Sequence, residues 1–330
     1  MRVVGGDDLP ELPSSADAAV VTVGTFDGVH CGHRDVLARL TRRAADTRRA
    51  SLLVTFEPHP LEVLSPDAAP ALLTTREEKL DLLEPTGLDY VAIVPFTREF
   101  ARKSATEFVD DVLIGRFRMA ELLVGHDHGF GRGREGDLTL LRSLGASRGF
   151  AVDVVAPVLT TSGEAVSSTV IRRAIARHDL DRARALLGRA YSVRGHVVAG
   201  EARGRLLGYR TINVDPDSPR KLLPPDGVYA VQVIGSHGRF VGMMNLGGRP
   251  TFGDDRRRLE AHLFDADGDF YGTRVDVAFV ARLRDTVRFP DPDALVAQLR
   301  RDADAARRAL TAFAESDNLN GSTHVPPSTP

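Results

Sequence analysis

Two histidines three residues apart, His30 and His33, stand in the string GTFDGVHCGH (24–33). An apolar, strand-like run ends just before them and a helix-like segment begins just after. At such a junction the backbone N–H groups and the helix N-terminus favour an anion. Two imidazoles there can donate hydrogen bonds to phosphate oxygens and offset charge that develops during group transfer. Gly24, Gly28 and Gly32 let the backbone come close to that phosphate. The plainer alternative, exposed or capping histidines on an ordinary turn, is disfavoured by the strand before and the helix after. Ser168, Thr169 and Arg172 lie in VSSTVIRRAI (166–175) at a helix start, where hydroxyls cap the helix or bind phosphate and an arginine one turn on can clamp an oxyanion. His59 stands between two prolines at a strand end, as a held polar contact or an ordinary loop histidine. Glu260, in LEAHLF, has Leu259 and Ala261 facing the other way if the segment is a strand; an exposed strand carboxylate is the bland reading.

The elements that position these residues change character along the chain. In the first half, AVVTVGTF (19–26), SLLVTF (51–56), LDYVAIVPF (88–96), ELLVG (121–125) and FAVDVVAPV (150–158) alternate with helix-like segments. Such Val/Ile/Leu-rich runs suit strands buried on both faces. Residues 33–49 place Val36, Leu37, Leu40 and Ala44 at helical spacing, and 76–83, 105–118 and 137–147 also read as helices. This alternation implies a parallel sheet flanked by helices. Residues 167–188 read as helical with a break near His178–Asp179. After Tyr191, YSVRGHVVAGE, GVYAVQVIG, RFVGMMNLG, LEAHLF and RVDVAFVARL read as strands of a small antiparallel barrel, with SHG and DADGD as hairpin turns. Leu295, Leu299, Ala303, Ala306 and Leu310 then form one stripe of a helix that packs on the barrel. The expected domains are 1–188 and 189–315, with a disordered tail at 316–330.

The composition narrows the classes. A length of 330 residues favours two domains. Forty-three basic against 45 acidic residues, net charge −2, argue against a broad nucleic-acid-binding surface. One cysteine, Cys31, excludes an intramolecular disulfide and a cysteine-rich metal site, and the absence of Trp leaves Phe, Tyr or His to stack on any aromatic ligand. The first twenty residues lack a basic segment followed by an apolar stretch, and no apolar run approaches the roughly 20 residues that span a bilayer. The expectation is a soluble cytoplasmic protein with no membrane or nucleic-acid partner; homo-oligomerisation is left open.

The motif series is similar to that of the prokaryotic bifunctional riboflavin kinase/FMN adenylyltransferases, or FAD synthetases. GTFDGVHCGH resembles the HxGH signature of the nucleotidyltransferase superfamily, TFEPHP (55–60) the family's second-strand motif, VGHDHGFGRGREGD (124–137) its flavin-side loop, and VSSTVIRRAI its Ser-Ser-Thr-x-x-Arg motif. GRLLGYRTIN (204–213), LPPDGVYAV (223–231), MNLGGRPTFG (244–253) and LEAHLFDADGDFYG (259–272) resemble the kinase module. The ordered match covers about residues 19–312. It implies a Rossmann-like nucleotidyltransferase domain with a parallel sheet, then a small antiparallel barrel of riboflavin kinase type followed by a helix.

The resemblance also implies roles. His30, His33 and Arg172 would stabilise adenylyl transfer from ATP to FMN, with Gly24, Phe26, Gly28, His59, Ser168 and Thr169 around the ATP. Asp127, His128 and Phe130 would meet the flavin, His128 standing where the family usually has Phe. In the kinase module Glu260 would act on the ribityl hydroxyl of riboflavin, Gly204, Arg205 and Gly208 would face ATP, and Thr211 and Asn213 would hold Mg²⁺ with the nucleotide. There the family's Pro-Thr-Ala-Asn reads Arg210-Thr211-Ile212-Asn213. Proline's fixed φ is lost, a cation arrives, and Ile212 is bulkier than Ala. Two alternatives follow: a paralogue with adenylyltransferase activity only or altered flavin or nucleotide preference, and a non-catalytic flavin-binding regulator. Substrates would be riboflavin, FMN and ATP.

Overall fold

The apolar runs of the first half become strands because each is sheltered on both faces. The computed structural model describes residues 1–5, 11–14, 16–125, 131, 136–161, 163–200, 209–249 and 254–320. The chain forms two compact units, Met1–Ser168 and Thr169–Pro330. In the first, β1 (Arg2–Gly5), β2 (Ala19–Val23), β3 (Ala50–Glu57), β4 (Tyr90–Pro95), β5 (Met119–Gly125) and β6 (Ala151–Val155) form one sheet in the order β1-β4-β3-β2-β5-β6. Every pairing is parallel. Between the strands run α1 (Cys31–Thr47), α2 (Pro60–Leu64), α3 (Arg76–Leu83), the short α4 (Ala105–Glu107) with a π-helical continuation over Phe108–Ile114, and α5 (Leu138–Arg148).

Two-residue alternation splits the strands between two cores. Val21, Val23, Leu52, Val54, Leu122 and Val124 join one. Val20, Leu53, Val91, Ile93 and Leu123 join the other, with Leu37, Leu40 and Ala44 of α1. The sequence reading omits β1, a four-residue edge strand whose burial pattern gives no continuous apolar run.

The second unit begins with α6 (Ser168–Ala176) and α7 (Leu180–Leu187), broken at His178, whose φ is +62°. The sequence boundary at 188/189 grouped both helices with the sheet. α7 packs instead on β7 (Tyr191–Val198) and β12 (Arg274–Arg284), which draws the division back to 168/169. With β8 (Ile212–Pro216), β9 (Gly227–Gly235), β10 (Gly238–Arg249) and β11 (Asp254–Leu263), these strands close a six-stranded barrel in the order β10-β11-β8-β7-β12-β9. All pairings are antiparallel.

Ser236 and His237 form the expected two-residue hairpin loop between β9 and β10. DADGD is not a hairpin turn: β11 pairs with β10 and β8, while β12 pairs with β7 and β9, so this segment connects non-neighbouring strands. Last comes α8 (Pro292–Asn320), whose Leu299, Ala303, Ala306 and Leu310 meet Ala230, Met243, Phe264 and Val280 of the barrel. An ion pair from Arg284 to the buried Asp302 fastens the same helix. Residues 316–320, assigned from sequence to the tail, continue this helix. Ser316 Oγ donates to the Phe313 carbonyl and accepts from Arg184 of α7, so the last turn has partners that a free tail lacks. Among the described residues no helix is long and apolar enough to cross a membrane.

Gly195 shows how tightly the barrel closes. A Cβ added there would collide with the backbone carbonyl of Asp215 on β8. Gly195→Ala should therefore lower barrel stability by about 1–3 kcal/mol, read as a lower melting temperature by circular dichroism.

Candidate functional site

Strand order places the first site. The chain runs outward from β2 through β3 to β4, then crosses back to lay β5 on the other side of β2. The carboxyl ends of β2 and β5 thus flank the point where the winding reverses, the usual ligand crevice of open α/β sheets. The β2–α1 turn carrying the two histidines leaves one of these ends. The other end precedes Asp127, His128 and Phe130, which the sequence resemblance assigns to the flavin and which lie outside the described residues. Gly131, which follows them, has φ +78° and packs closely on the backbone of Ala105.

The turn is strained and strongly held. Phe26, Gly28 and Val29 have φ of +47°, +84° and +38°, unusual for Phe and more so for a β-branched Val. The buried Asp27 carboxylate holds it: Oδ2 accepts the Leu73 N–H at 3.0 Å and Oδ1 accepts the Thr74 N–H at 2.9 Å and the Thr74 hydroxyl at 3.1 Å. Thr74 Oγ1 in turn accepts the Gly28 N–H at 3.0 Å. The Asp27 carbonyl accepts the Ser168 hydroxyl at 2.9 Å, so that hydroxyl anchors the start of α6 to the turn. Asp27 and Thr74 escaped the sequence reading because their partnership spans 47 residues. Gly24 and Gly32 serve side chains as well as backbone: a Cβ at Gly24 would meet the Phe26 ring at 3.0 Å, and one at Gly32 the His30 ring at 3.3 Å.

His30 is both a cap and a site residue. Its Nδ1 accepts the His33 N–H at 3.2 Å at the N-terminus of α1. An accepting Nδ1 carries no proton, which leaves Nε2 as the N–H donor of a neutral ring. The His30 and His33 rings stack with centroids 3.5 Å apart, and Phe26 stacks on His33 at 4.5 Å. His33 Nδ1 is buried without a hydrogen-bond partner among the described residues. Burial, then the neighbouring His30 and Lys79, hold the His33 pKa well below its ordinary value. Lys79, nearly buried on α3, is pushed down by desolvation against the opposing pull of Asp27 and Glu57. Burial raises the Glu57 carboxyl. His59 caps α2, its Nδ1 accepting the Leu61 N–H at 3.2 Å. Thr169 and Arg172 follow Ser168 on α6, inside the second compact unit.

The second site is a polar face of the barrel. Thr211 directly precedes β8 and Asn213 lies on it two residues later, so both face one side. Asn213 is opposite Glu260 of β11 in register, and the Thr211 hydroxyl donates diagonally to Glu260 Oε1 at 2.8 Å. Asn213 is buried and its Oδ1 has no hydrogen-bond partner among the described residues. Gly200 approaches the Asn213 amide so closely that a Cβ there would collide with it. Thr211, Asn213, His262, Asp267, Phe270 and Tyr271 are among the residues lining a cavity of about 880 Å³. Arg210 and Ile212 line it too, and neither separates Thr211 from Glu260. Gly204, Arg205 and Gly208 lie outside the described residues. His262, beside Thr211 on this face, was missed because its partner is a backbone carbonyl 52 residues away.

The depressed His33 pKa has a measurable consequence. Below its ordinary pKa of 6.5 the unfolded chain binds a proton that the folded chain refuses, so stability falls as pH drops through 6.5 towards the folded value. Urea midpoints measured between about pH 7.5 and 5 should show this decline. His33→Asn should show a shallower one.

Comparison with known proteins covers nearly the whole chain. The family model for FAD synthetase matches residues 12–170 and that for riboflavin kinase matches 187–310. The bifunctional riboflavin kinase/FMN adenylyltransferase of Escherichia coli K12 is 39% identical over 309 residues, 93% of this chain and 97% of that protein. That of Pseudomonas fluorescens is 39% identical over 313 residues, 94% of this chain and 98% of its own length. A crystal structure described as a macrolide-efflux protein from Streptococcus pneumoniae is similar with a TM-score of 0.82 at 30% identity, covering 92% of this chain and 98% of that one. On these matches over nearly its whole length, the chain belongs to the bifunctional riboflavin kinase/FMN adenylyltransferase family.

Proposed function

We propose that the protein makes FAD in two ATP-consuming steps, the barrel unit phosphorylating riboflavin to FMN and the sheet unit adenylylating FMN. The observation that carries this reading is the presence in one chain of two polar side-chain clusters whose chemistry suits phosphate: the His30–His33 pair at the carboxyl end of β2, and the Thr211–Glu260–Asn213 face of the barrel.

In the kinase step Glu260 orients the terminal ribityl hydroxyl and takes its proton as the oxygen attacks the γ-phosphorus of ATP; ADP leaves. The hydrogen bond from Thr211 holds one carboxylate oxygen in place. Thr211 and Asn213 supply a hydroxyl and an amide oxygen, hard donors that suit Mg²⁺, and the buried Asn213 Oδ1, without a hydrogen-bond partner among the described residues, is an acceptor suited to such a ligand. Mg²⁺, when bound with ATP, neutralises phosphate charge.

In the adenylyl-transfer step an FMN phosphate oxygen attacks the α-phosphorus of ATP in line and pyrophosphate leaves. No covalent enzyme intermediate is required. The turn's fixed geometry lets His30 Nε2–H and His33 meet charge as it develops, without reorganisation during the reaction. The roles of Arg172, Ser168, Thr169 and His59 at the ATP phosphates, and of Asp127, His128 and Phe130 at the flavin, belong to the same proposal.

Chromatography of products from riboflavin and Mg-ATP tests both steps. The wild-type protein should form FMN and then FAD. His30→Ala should still form FMN while FAD formation falls about 10²–10³-fold. Glu260→Gln should lose FMN formation by about 10²-fold or more yet convert supplied FMN to FAD normally. FMN formation at the wild-type rate in Glu260→Gln would overturn the kinase assignment.

A further inference from the structure

His262 is two residues from Glu260 on β11, on the same face, and lines the cavity with Thr211 and Asn213; the reaction as described does not use it. The backbone ladder between β8 and β11 runs through Leu259↔Val214 and Glu260↔Asn213 and stops at Ala261↔Ile212. Beyond it, among the described residues, the chain entering β8 continues no ladder with β11, although Thr211 must be placed there. His262 is the next residue of β11. Its ring Nδ1–H donates to the Arg210 carbonyl at 2.7 Å, so a side chain continues the pairing where the backbone ladder ends.

The ring is itself fixed. Tyr209 meets it edge-on with centroids 5.0 Å apart, and Phe264 does so at 5.7 Å. Phe264 is buried against α8, with the Arg307 guanidinium 4.3 Å from its ring centroid. A continuous set of contacts thus runs from α8 through Phe264 and His262 to the carbonyl just before Thr211.

We propose that His262 is a positioning residue of the kinase site: its hydrogen bond to the Arg210 carbonyl sets the strand entry that presents Thr211 and Asn213 to the metal–nucleotide. This rests on the kinase reading above. The group used at position 210 is a backbone carbonyl, so the bond does not depend on the Arg210 side chain.

Two variants separate the N–H from the ring. His262→Phe keeps an aromatic ring between Tyr209 and Phe264 and removes the donor. His262→Asn removes the ring and keeps an N–H donor near the position of Nδ1. Steady-state phosphorylation of riboflavin is measured for each, with adenylylation of supplied FMN in the same preparation as an internal control. The expected result for His262→Phe is a KM for Mg-ATP raised about tenfold, with the KM for riboflavin and the FMN adenylylation rate unchanged. His262→Asn should stay within about threefold of wild type. Wild-type kinetics in His262→Phe, or equal losses in both variants, would overturn the proposal. If His262→Phe does not fold, judged by circular dichroism, His262→Asn decides alone: near-wild-type KM for Mg-ATP supports the role, and a tenfold rise refutes it. Failure of the wild-type protein to form FMN would instead strike the kinase reading itself.

Discussion

The buried carboxylate of Asp27 is the constraint on which the sheet unit's site depends. Three left-handed residues within four positions do not persist unaided, because each places side chain or backbone in a sparsely populated region. Asp27 overcomes that cost by accepting two backbone N–H groups and a hydroxyl from Leu73 and Thr74, while its own carbonyl takes the Ser168 hydroxyl. The turn is thereby tied to two segments distant in sequence. With the backbone held, Phe26, His30 and His33 have one arrangement available, a stack at the N-terminus of α1. Each histidine is then neutral for a physical reason: His30 because its Nδ1 accepts a hydrogen bond, His33 because it is buried beside other positive or potentially positive groups.

The barrel reaches a similar end by other means. Its site residues sit on regular strands, where two-residue alternation puts Asn213 and Glu260 on one face and register sets them opposite each other. Strand geometry fixes what the strained turn must fix by specific hydrogen bonds. The weak point is where β8 begins and the ladder has ended. There the side chain of His262 replaces a missing backbone bond, and the Thr211–Glu260 bond closes the same corner.

Much of this was legible in the residue order. Strands buried on both faces announce themselves as apolar runs, so β2 to β6 and the helices between them other than the short α2 were readable, as were the break at His178 and the stripe of α8. Elements without that signature were not: β1 is a short edge strand, and β8 carries polar Asn213 and Asp215 within five residues. The DADGD segment has hairpin composition, but only the closed barrel decides that β11 and β12 are not neighbours.

The sequence by itself determined the chemistry on offer: paired imidazoles at a strand–helix junction, hydroxyls and an arginine at a helix start, and a carboxylate among apolar strand neighbours. Local order dictates these because a helix terminus or a strand face is a matter of a few adjacent residues. Tertiary structure alone decided which groups hold them in place, since Asp27 with Thr74, Thr211 with Glu260 and His262 with the Arg210 carbonyl are 47 to 52 residues apart. It also decided that α7 packs on the barrel, because helix placement follows the surface a helix buries against rather than its position in the chain.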